Sequence, residues 1–273
     1  MKRSLLLSLC LFLLAGVAHA AKVDTVSVFS KAMNKNVKTV TILPDAYNDG
    51  RVYPVVYLLH GHGGNYGNWV NQAPEIKELA DKYSMIIVCP DGGTDSWYWD
   101  SPVDPSYRYE TFVARELVAW VDANYKTDKR REGRAITGLS MGGHGALYLA
   151  LKNQDVFGAA GSMAGGVDIR PFPMNWGMAK RLGTYAENKS NWESHTVINM
   201  LNLLTPGSLE LLIDVGRGDF FYEVNEALHR ELTYRNVPHT YTVRPGAHNW
   251  DYWVNSIRYQ LLFMHEFFKA KGQ

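Results

Sequence analysis

Gly138-Leu139-Ser140-Met141-Gly142-Gly143-His144-Gly145 is the stretch on which the reading of this chain turns. It has the pattern G-x-S-x-G-G, the signature of a nucleophile elbow, a strained strand-to-helix turn that exposes a serine Oγ above a sheet. Glycines at 138 and 142 relieve the crowding that side chains would create on either side of the bend. The flanks fit the same geometry. Ala135-Ile136-Thr137 is a short β-prone run, and Ala146-Leu147-Tyr148-Leu149-Ala150-Leu151 is a good helix former.

Working outward, residues 55–59 (VVYLL) and 85–89 (MIIVC) are continuous apolar runs, as expected of strands buried on both faces. Residues 23–30 and 37–43 alternate and read as an opening antiparallel pair. Helices are expected over 74–83, with Pro74 near the start, and over 109–125, where Phe112, Leu117, Trp120 and Val121 fall near one stripe. After the elbow come strands at 158–163, 209–215 and 240–243 and helices at 223–235 and 251–270. This alternation predicts an α/β fold with a mostly parallel central sheet covered by helices on both faces. Residues 168–205 interrupt the rhythm with Pro171, Pro173 and many polar residues, and are expected to form a small cap insertion.

Residues 1–20 read as a signal peptide: Lys2-Arg3 as the basic region, Leu5 to Val17 as the apolar core, and Ala18-His19-Ala20 as the cleavage site. The apolar run is too short for a transmembrane helix, so no stable membrane insertion is expected. Cys10 follows Leu7-Ser8-Leu9, but Leu9 is too bulky to precede a lipid-modified cysteine. With the leader removed, Cys89 is the single cysteine, which excludes an internal disulfide and a cysteine-based zinc site. It reads as a small buried residue near the end of a strand. The remainder, 21–273, suits one large α/β domain. With 28 basic and 27 acidic residues the net charge is +1, without the basic excess that a nucleic-acid partner requires.

An elbow serine needs a histidine to take its proton and a carboxylate to hold that histidine's tautomer. In α/β-hydrolases these follow in the order serine, acid, histidine. Asp219, in Gly216-Arg217-Gly218-Asp219-Phe220, lies just past an expected core strand. His248, in Gly246-Ala247-His248-Asn249-Trp250, lies between the last strand and the last helix. Both open toward the carboxyl edge of the sheet, where open α/β sheets build their sites. Asp214 is a rival acid placed within its strand, and Asp251 suits a helix start. His195, His229, His239 and His265 read as surface or structural, and His144 as packing support.

Acyl transfer also needs oxyanion donors, for which the backbone amides of Met141 and His62 are the candidates. The His60-x-His62 pair without a third ligand is weak evidence for a metal, and none is expected. In the loop Asp91-Gly92-Gly93-Thr94-Asp95-Ser96-Trp97-Tyr98-Trp99-Asp100, the aromatics Trp97, Tyr98 and Trp99 suit a wall stacking on a planar acyl group or a sugar ring. The competing reading is that Trp97 and Trp99 brace the 60–68 loop. Trp176 and Trp192 in the cap carry the same ambiguity.

The run Val56-Tyr57-Leu58-Leu59-His60-Gly61-His62-Gly63-Gly64-Asn65-Tyr66-Gly67-Asn68-Trp69, with Ser96-Trp97-Tyr98, the elbow and Gly246-Ala247-His248-Asn249-Trp250, resembles the esterase D superfamily of α/β-hydrolases. That superfamily holds S-formylglutathione hydrolases, tributyrin, feruloyl and enterobactin esterases and mycolyltransferases. The resemblance covers nearly all of 21–273 and is most similar in character to tributyrin and feruloyl esterases. It implies the α/β-hydrolase fold, Ser140, Asp219 and His248 as a triad, and the His62 and Met141 amides as the oxyanion hole. Together with the leader at 1–20 and the loop aromatics, Ser140, Asp219 and His248 point to a secreted serine carboxylesterase that frees feruloyl or acetyl groups from carbohydrate or small esters, and no cofactor is expected. Thioester hydrolysis, acyl transfer to a sugar and a non-catalytic carbohydrate-binding role are the alternatives.

Overall fold

A computed structural model describes residues 21–272, so the expected signal peptide at 1–20 lies outside the described residues. Eight strands form one sheet: β1 (Lys22–Ser30), β2 (Lys35–Leu43), β3 (Val55–Leu59), β4 (Ile86–Pro90), β5 (Arg134–Gly138), β6 (Ala159–Met163), β7 (Glu210–Gly216) and β8 (Thr240–Arg244). Their order is β1-β2-β4-β3-β5-β6-β7-β8. The first two pairings are antiparallel and the other five parallel. This is the α/β-hydrolase architecture the sequence predicts.

The pleat sorts the apolar runs onto two faces. Val55, Tyr57 and Leu59 join one core cluster, while Val56 and Leu58 join the other. Helices α1 (Asn68–Gln72), α2 (Ile76–Lys82) and α9 (Trp250–Ala270) contribute to the second cluster. The first takes residues from α5 (Met141–Lys152), α8 (Tyr222–Tyr234) and the segment between β4 and β5. Cys89 is buried in β4, where desolvation pushes its thiol well up.

Two expectations are corrected in detail. The single helix expected over 109–125 is α3 (Tyr109–Thr111), a π-helical turn over Phe112–Leu117, and α4 (Val118–Asn124). Phe112, Val113 and Ala114 are consecutive and all buried, a wider face than a 3.6-residue repeat offers. The 74–83 helix begins later, at Ile76, after the separate short α1. Residues 168–205 hold α6 (Met178–Leu182), α7 (Lys189–Ser194) and a 3₁₀ segment over Val197–Leu203.

The chain leaves β3 toward β4 on one side and later adds β5 on the other, so β3 and β5 meet at a topological switch point. Ligand crevices form there, outside the carboxyl ends of the strands. Leu59 pairs with Gly138, which sets the 60–68 loop beside the elbow. The approach is so close that a Cβ on Gly142 would lie 2.6 Å from the carbonyl oxygens of Leu59 and His60, and one on Gly138 2.6 Å from the Gly142 backbone. Backbone cannot yield as a side-chain tip can, so Gly142→Ala is expected to cost roughly 2–3 kcal/mol of unfolding free energy. Urea unfolding measures it, and an unchanged midpoint would contradict the packing described.

Candidate active site

Ser140 sits at φ +53°, ψ −116°, outside the regions that non-glycine residues ordinarily occupy. The strain is held by its neighbours. Ser140 N–H donates to Met163 O at 2.9 Å, and His144 N–H donates back to Ser140 O at 3.0 Å. The turn thus bridges β6 and α5 and aims Oγ off the sheet edge.

Asp219 comes from the loop after β7 and His248 from the loop after β8, the last strand. Gly218 N–H donates to Gly246 O at 2.8 Å, joining the two loops. Gly246 has φ +147°, and a Cβ there would meet the Tyr252 ring at 2.3 Å, so glycine is required beside His248. Asn249 caps α9 by accepting from Tyr252 N–H at 3.1 Å. In this frame Ser140 Oγ–H donates to His248 Nε2 at 2.9 Å, and His248 Nδ1–H donates to Asp219 Oδ2 at 2.8 Å. Asp219 is buried, and its other oxygen accepts from Phe221 N–H at 2.8 Å. The three residues singled out in the sequence are therefore brought into one hydrogen-bonded chain.

Asp214, the rival acid, is engaged elsewhere. It is fully buried in β7 and pairs with Arg244 and the Tyr252 hydroxyl, and burial pushes its carboxyl up. Asp251 lies in the first turn of α9. His195 packs on Tyr148, His229 on Tyr241 and His265 on Tyr83, all apart from Ser140.

Met141 opens α5, so its amide is among those with no acceptor inside the helix. In the 60–64 loop, Gly63 N–H donates to Thr94 O and Gly64 N–H to Gly61 O, which leaves the His62 amide outside the loop's own bonds. His62 and Ser140 line the same cleft, about 400 Å³ in volume. His60, the other half of the His-x-His pair, is buried. Its Nδ1–H donates to Gly61 O at 2.8 Å, and its Nε2 accepts from Gly92 N–H at 2.7 Å. It holds two loops together. Among the described residues, no group of three or more His, Cys, Asp or Glu is placed to hold a metal ion.

The aromatic wall expected from Trp97, Tyr98 and Trp99 is corrected. Their relative exposures are 1%, 0% and 0%, and none lines the cleft. Tyr98 lies between Gly92 and Gly145, each so close that a Cβ would overlap its ring, and its hydroxyl donates to His60 O at 3.0 Å. Trp99 Nε1–H donates to His144 Nε2 at 2.9 Å, and Trp97 stacks on Trp99. The loop turns its aromatics inward because the elbow helix offers them glycine surface and an acceptor.

The cleft's aromatic lining is instead Trp176, Phe220, Trp250 and Trp253. Phe220 packs 4.2 Å from the His248 ring and lies nearly parallel to Trp176, while Trp253 stands edge-on to His248. Of residues 168–205, expected to form a cap, Trp176 alone lines this cleft. Three of the four are adjacent to Asp219 or close to His248 in sequence, the signal that could have found them.

Residues 30–264 match the esterase family described as "Putative esterase". An esterase of Mycobacterium tuberculosis is 38% identical over 145 residues, 52% of this chain and 32% of that protein, so the match spans about a third of that relative's length. The acetyl esterase of Caldicellulosiruptor saccharolyticus is 27% identical over 248 residues, 84% of this chain and 92% of that protein. A ferulic acid esterase of solved structure superposes with a TM-score of 0.78 at 27% identity, covering 91% of this chain and 98% of that one.

His144 supplies a pH signature. Burial lowers its pKa from 6.5 to about 3, so the folded chain refuses a proton that the unfolded chain accepts. Its contribution to stability is complete above pH 6.5 and is lost as pH falls toward 3, at up to about 1.4 kcal/mol per unit. In His144→Gln, unfolding free energy should decline less steeply between pH 6.5 and 4 than in the wild type. Parallel declines would contradict it.

Proposed function

The chain belongs to the esterase family, and from that premise we propose that it is an exported serine carboxylesterase acting on feruloyl, related hydroxycinnamoyl or acetyl esters of carbohydrates or small alcohols. The observation that carries this reading is the Ser140–His248–Asp219 hydrogen-bonded chain opening into an aromatic-lined cleft at the switch point.

In the proposed reaction Ser140 Oγ attacks the acyl carbon while its proton passes to His248 Nε2. Asp219, bonded at Nδ1, stabilises the imidazolium that forms. The oxyanion accepts from the His62 and Met141 amides. Collapse breaks the acyl–oxygen bond, and the proton on Nε2 goes to the departing alcohol. Water then gives its proton to His248 and attacks the acyl-enzyme, releasing the acid and restoring Ser140. The near-parallel Trp176 and Phe220 rings offer a flat apolar face suited to an aromatic acyl group or a sugar ring, and Trp250 and Trp253, set edge to face, add apolar surface to the same cleft. The ferulic acid esterase and acetyl esterase among the similar proteins support this substrate class.

Export rests on the 1–20 segment, and Ala21 lends support. It is buried, and its nitrogen lies 3.1 Å from Asp81 Oδ2. A chain cut after Ala20 would carry an ammonium there, turning an ordinary hydrogen bond into a charge-assisted one. Export also sets the site apart from cytosolic thioesters.

Ser140→Ala is expected to remove turnover of p-nitrophenyl esters almost completely, by roughly 10⁴-fold or more. Asp219→Asn should lower kcat by about 10⁴-fold, whereas Asp214→Asn should lower thermal stability and leave kcat within a few-fold. Retained activity in Ser140→Ala would sink the mechanism. Rates on acetyl, butyryl and methyl ferulate esters test the substrate class: a ferulate preference supports the aromatic faces, and an acetyl-only profile rejects them. The intact mass of exported protein should match a chain beginning at Ala21.

A further inference from the structure

The loop that leaves β4 does not face substrate, yet it touches both sides of the cleft. Toward the oxyanion side, Thr94 O accepts from Gly63 N–H at 2.8 Å, and Tyr98 and Gly92 grip His60. Toward the cap, Asp95 Oδ1 accepts from Arg181 Nε at 3.2 Å and Nη2 at 3.0 Å. Arg181 Nη1 donates to Asp104 Oδ2 at 2.6 Å, and the guanidinium lies 3.4 Å from the centre of the Tyr107 ring. Ser101 Oγ–H donates to Arg181 O at 2.7 Å. Asp95 is 6% exposed and Arg181 8%.

The backbone that carries Trp176 rests directly on this pair. Trp176 and Gly177 both have positive φ, +49° and +68°, and a Cβ on Gly177 would stand 2.6 Å from Asp95 Oδ2. Trp97 Nε1–H reaches Trp176 O at 3.4 Å from below. Trp176 in turn lies nearly parallel to Phe220, 5.7 Å between centroids, and Phe220 packs on His248. A buried ion pair returns little net stability after desolvation, so its geometry is the feature that calls for an account.

We propose that Asp95 and Arg181 form a latch that seats Trp176 against Phe220 and thereby sets which esters the cleft accepts. They are positioning residues: they act through Trp176 and touch no reacting atom. The latch rests on the esterase reading above. It holds the 172–178 strap in place, with Trp176 in a left-handed conformation that a bulky side chain disfavours while Gly177 adopts it freely. Without it Trp176 keeps its ring contacts with Phe172, Phe221 and Trp97 but loses the backbone support that seats it against Phe220, and a flat acyl group or sugar ring loses that face, whereas a small acetyl group does not need it.

The test uses Asp95→Asn/Arg181→Met, which leaves no lone buried charge, Trp176→Ala, and the three changes combined. For each, kcat and KM are measured on p-nitrophenyl acetate and methyl ferulate. The latch variant should lower the ferulate-to-acetate ratio of kcat/KM by about tenfold, through KM for ferulate, the loss expected when an aromatic face worth about 1.4 kcal/mol is removed. Trp176→Ala should lower it by a similar factor, and the combined variant no further. Proportional loss on both esters would mark the pair as structural glue and overturn the latch. So would a combined loss equal to the product of the separate ones. Wild-type turnover of p-nitrophenyl acetate, measured first, decides the esterase reading by itself. Hydrogen exchange reads the latch without turnover: amides of 172–178 should exchange faster in the latch variant while those of α5 stay protected. Equal protection in the strap overturns the proposal.

Discussion

The close approach of the elbow to the end of β3 is the constraint on which the site depends. Gly142 lies against the Leu59 and His60 carbonyls, and Gly138 against the Gly142 backbone. No side chain fits in either place. That contact lets α5 start immediately after β5, forces Ser140 into a positive φ, and keeps the 60–64 loop within reach of the same cleft. A longer turn would relax Ser140 and move its hydroxyl away from His248. The strain is retained because a hydrogen bond to β6, the start of α5 and the neighbouring strand all over-determine the turn.

Support for the other two residues is built the same way, from loops tied to one another and not merely placed near each other. Gly218 and Gly246 join the Asp219 and His248 loops, and Tyr252 fills the space that a side chain at 246 would need. Beneath them, Arg244, Asp214, Tyr252 and Ser256 form a buried polar network anchoring β8 and α9 to β7. A carboxylate so engaged cannot also orient His248. Two aspartates five residues apart therefore do different work. Both are buried, but one is committed to Arg244 and Tyr252 within β7, and the other is set against His248 by the loop that follows that strand.

The loop after β4 shows where pattern reading loses its grip. Three aromatics in a row between Gly and Asp look like an exposed surface, because in a connecting loop the chain offers no period to say which way side chains turn. The deciding partners are remote in sequence: Gly145 and His144 on the elbow helix, and His60 on the β3 loop. The same limit hid the π-helical turn at 112–117, where a wider buried face overrides the helical repeat. Trp250 and Trp253 were legible in principle, since they flank His248. Trp176 was not, because its place depends on a strap fixed by residues more than seventy positions away.

The succession of strands and helices, the burial of the central strands, the elbow, and Asp219 and His248 as the residues that meet Ser140 in one hydrogen-bonded chain are all legible in the sequence. These are local matters: apolar runs, glycine at turns, and polar residues at the exits of strands. Which aromatics line the cleft, the commitment of Asp214 to Arg244 and the buried pairing of Asp95 with Arg181 depend on tertiary structure. The physical reason is that strand burial and turn strain are set by neighbours in the chain. The direction of a loop side chain is set by whichever distant surface offers it room and a hydrogen-bond partner.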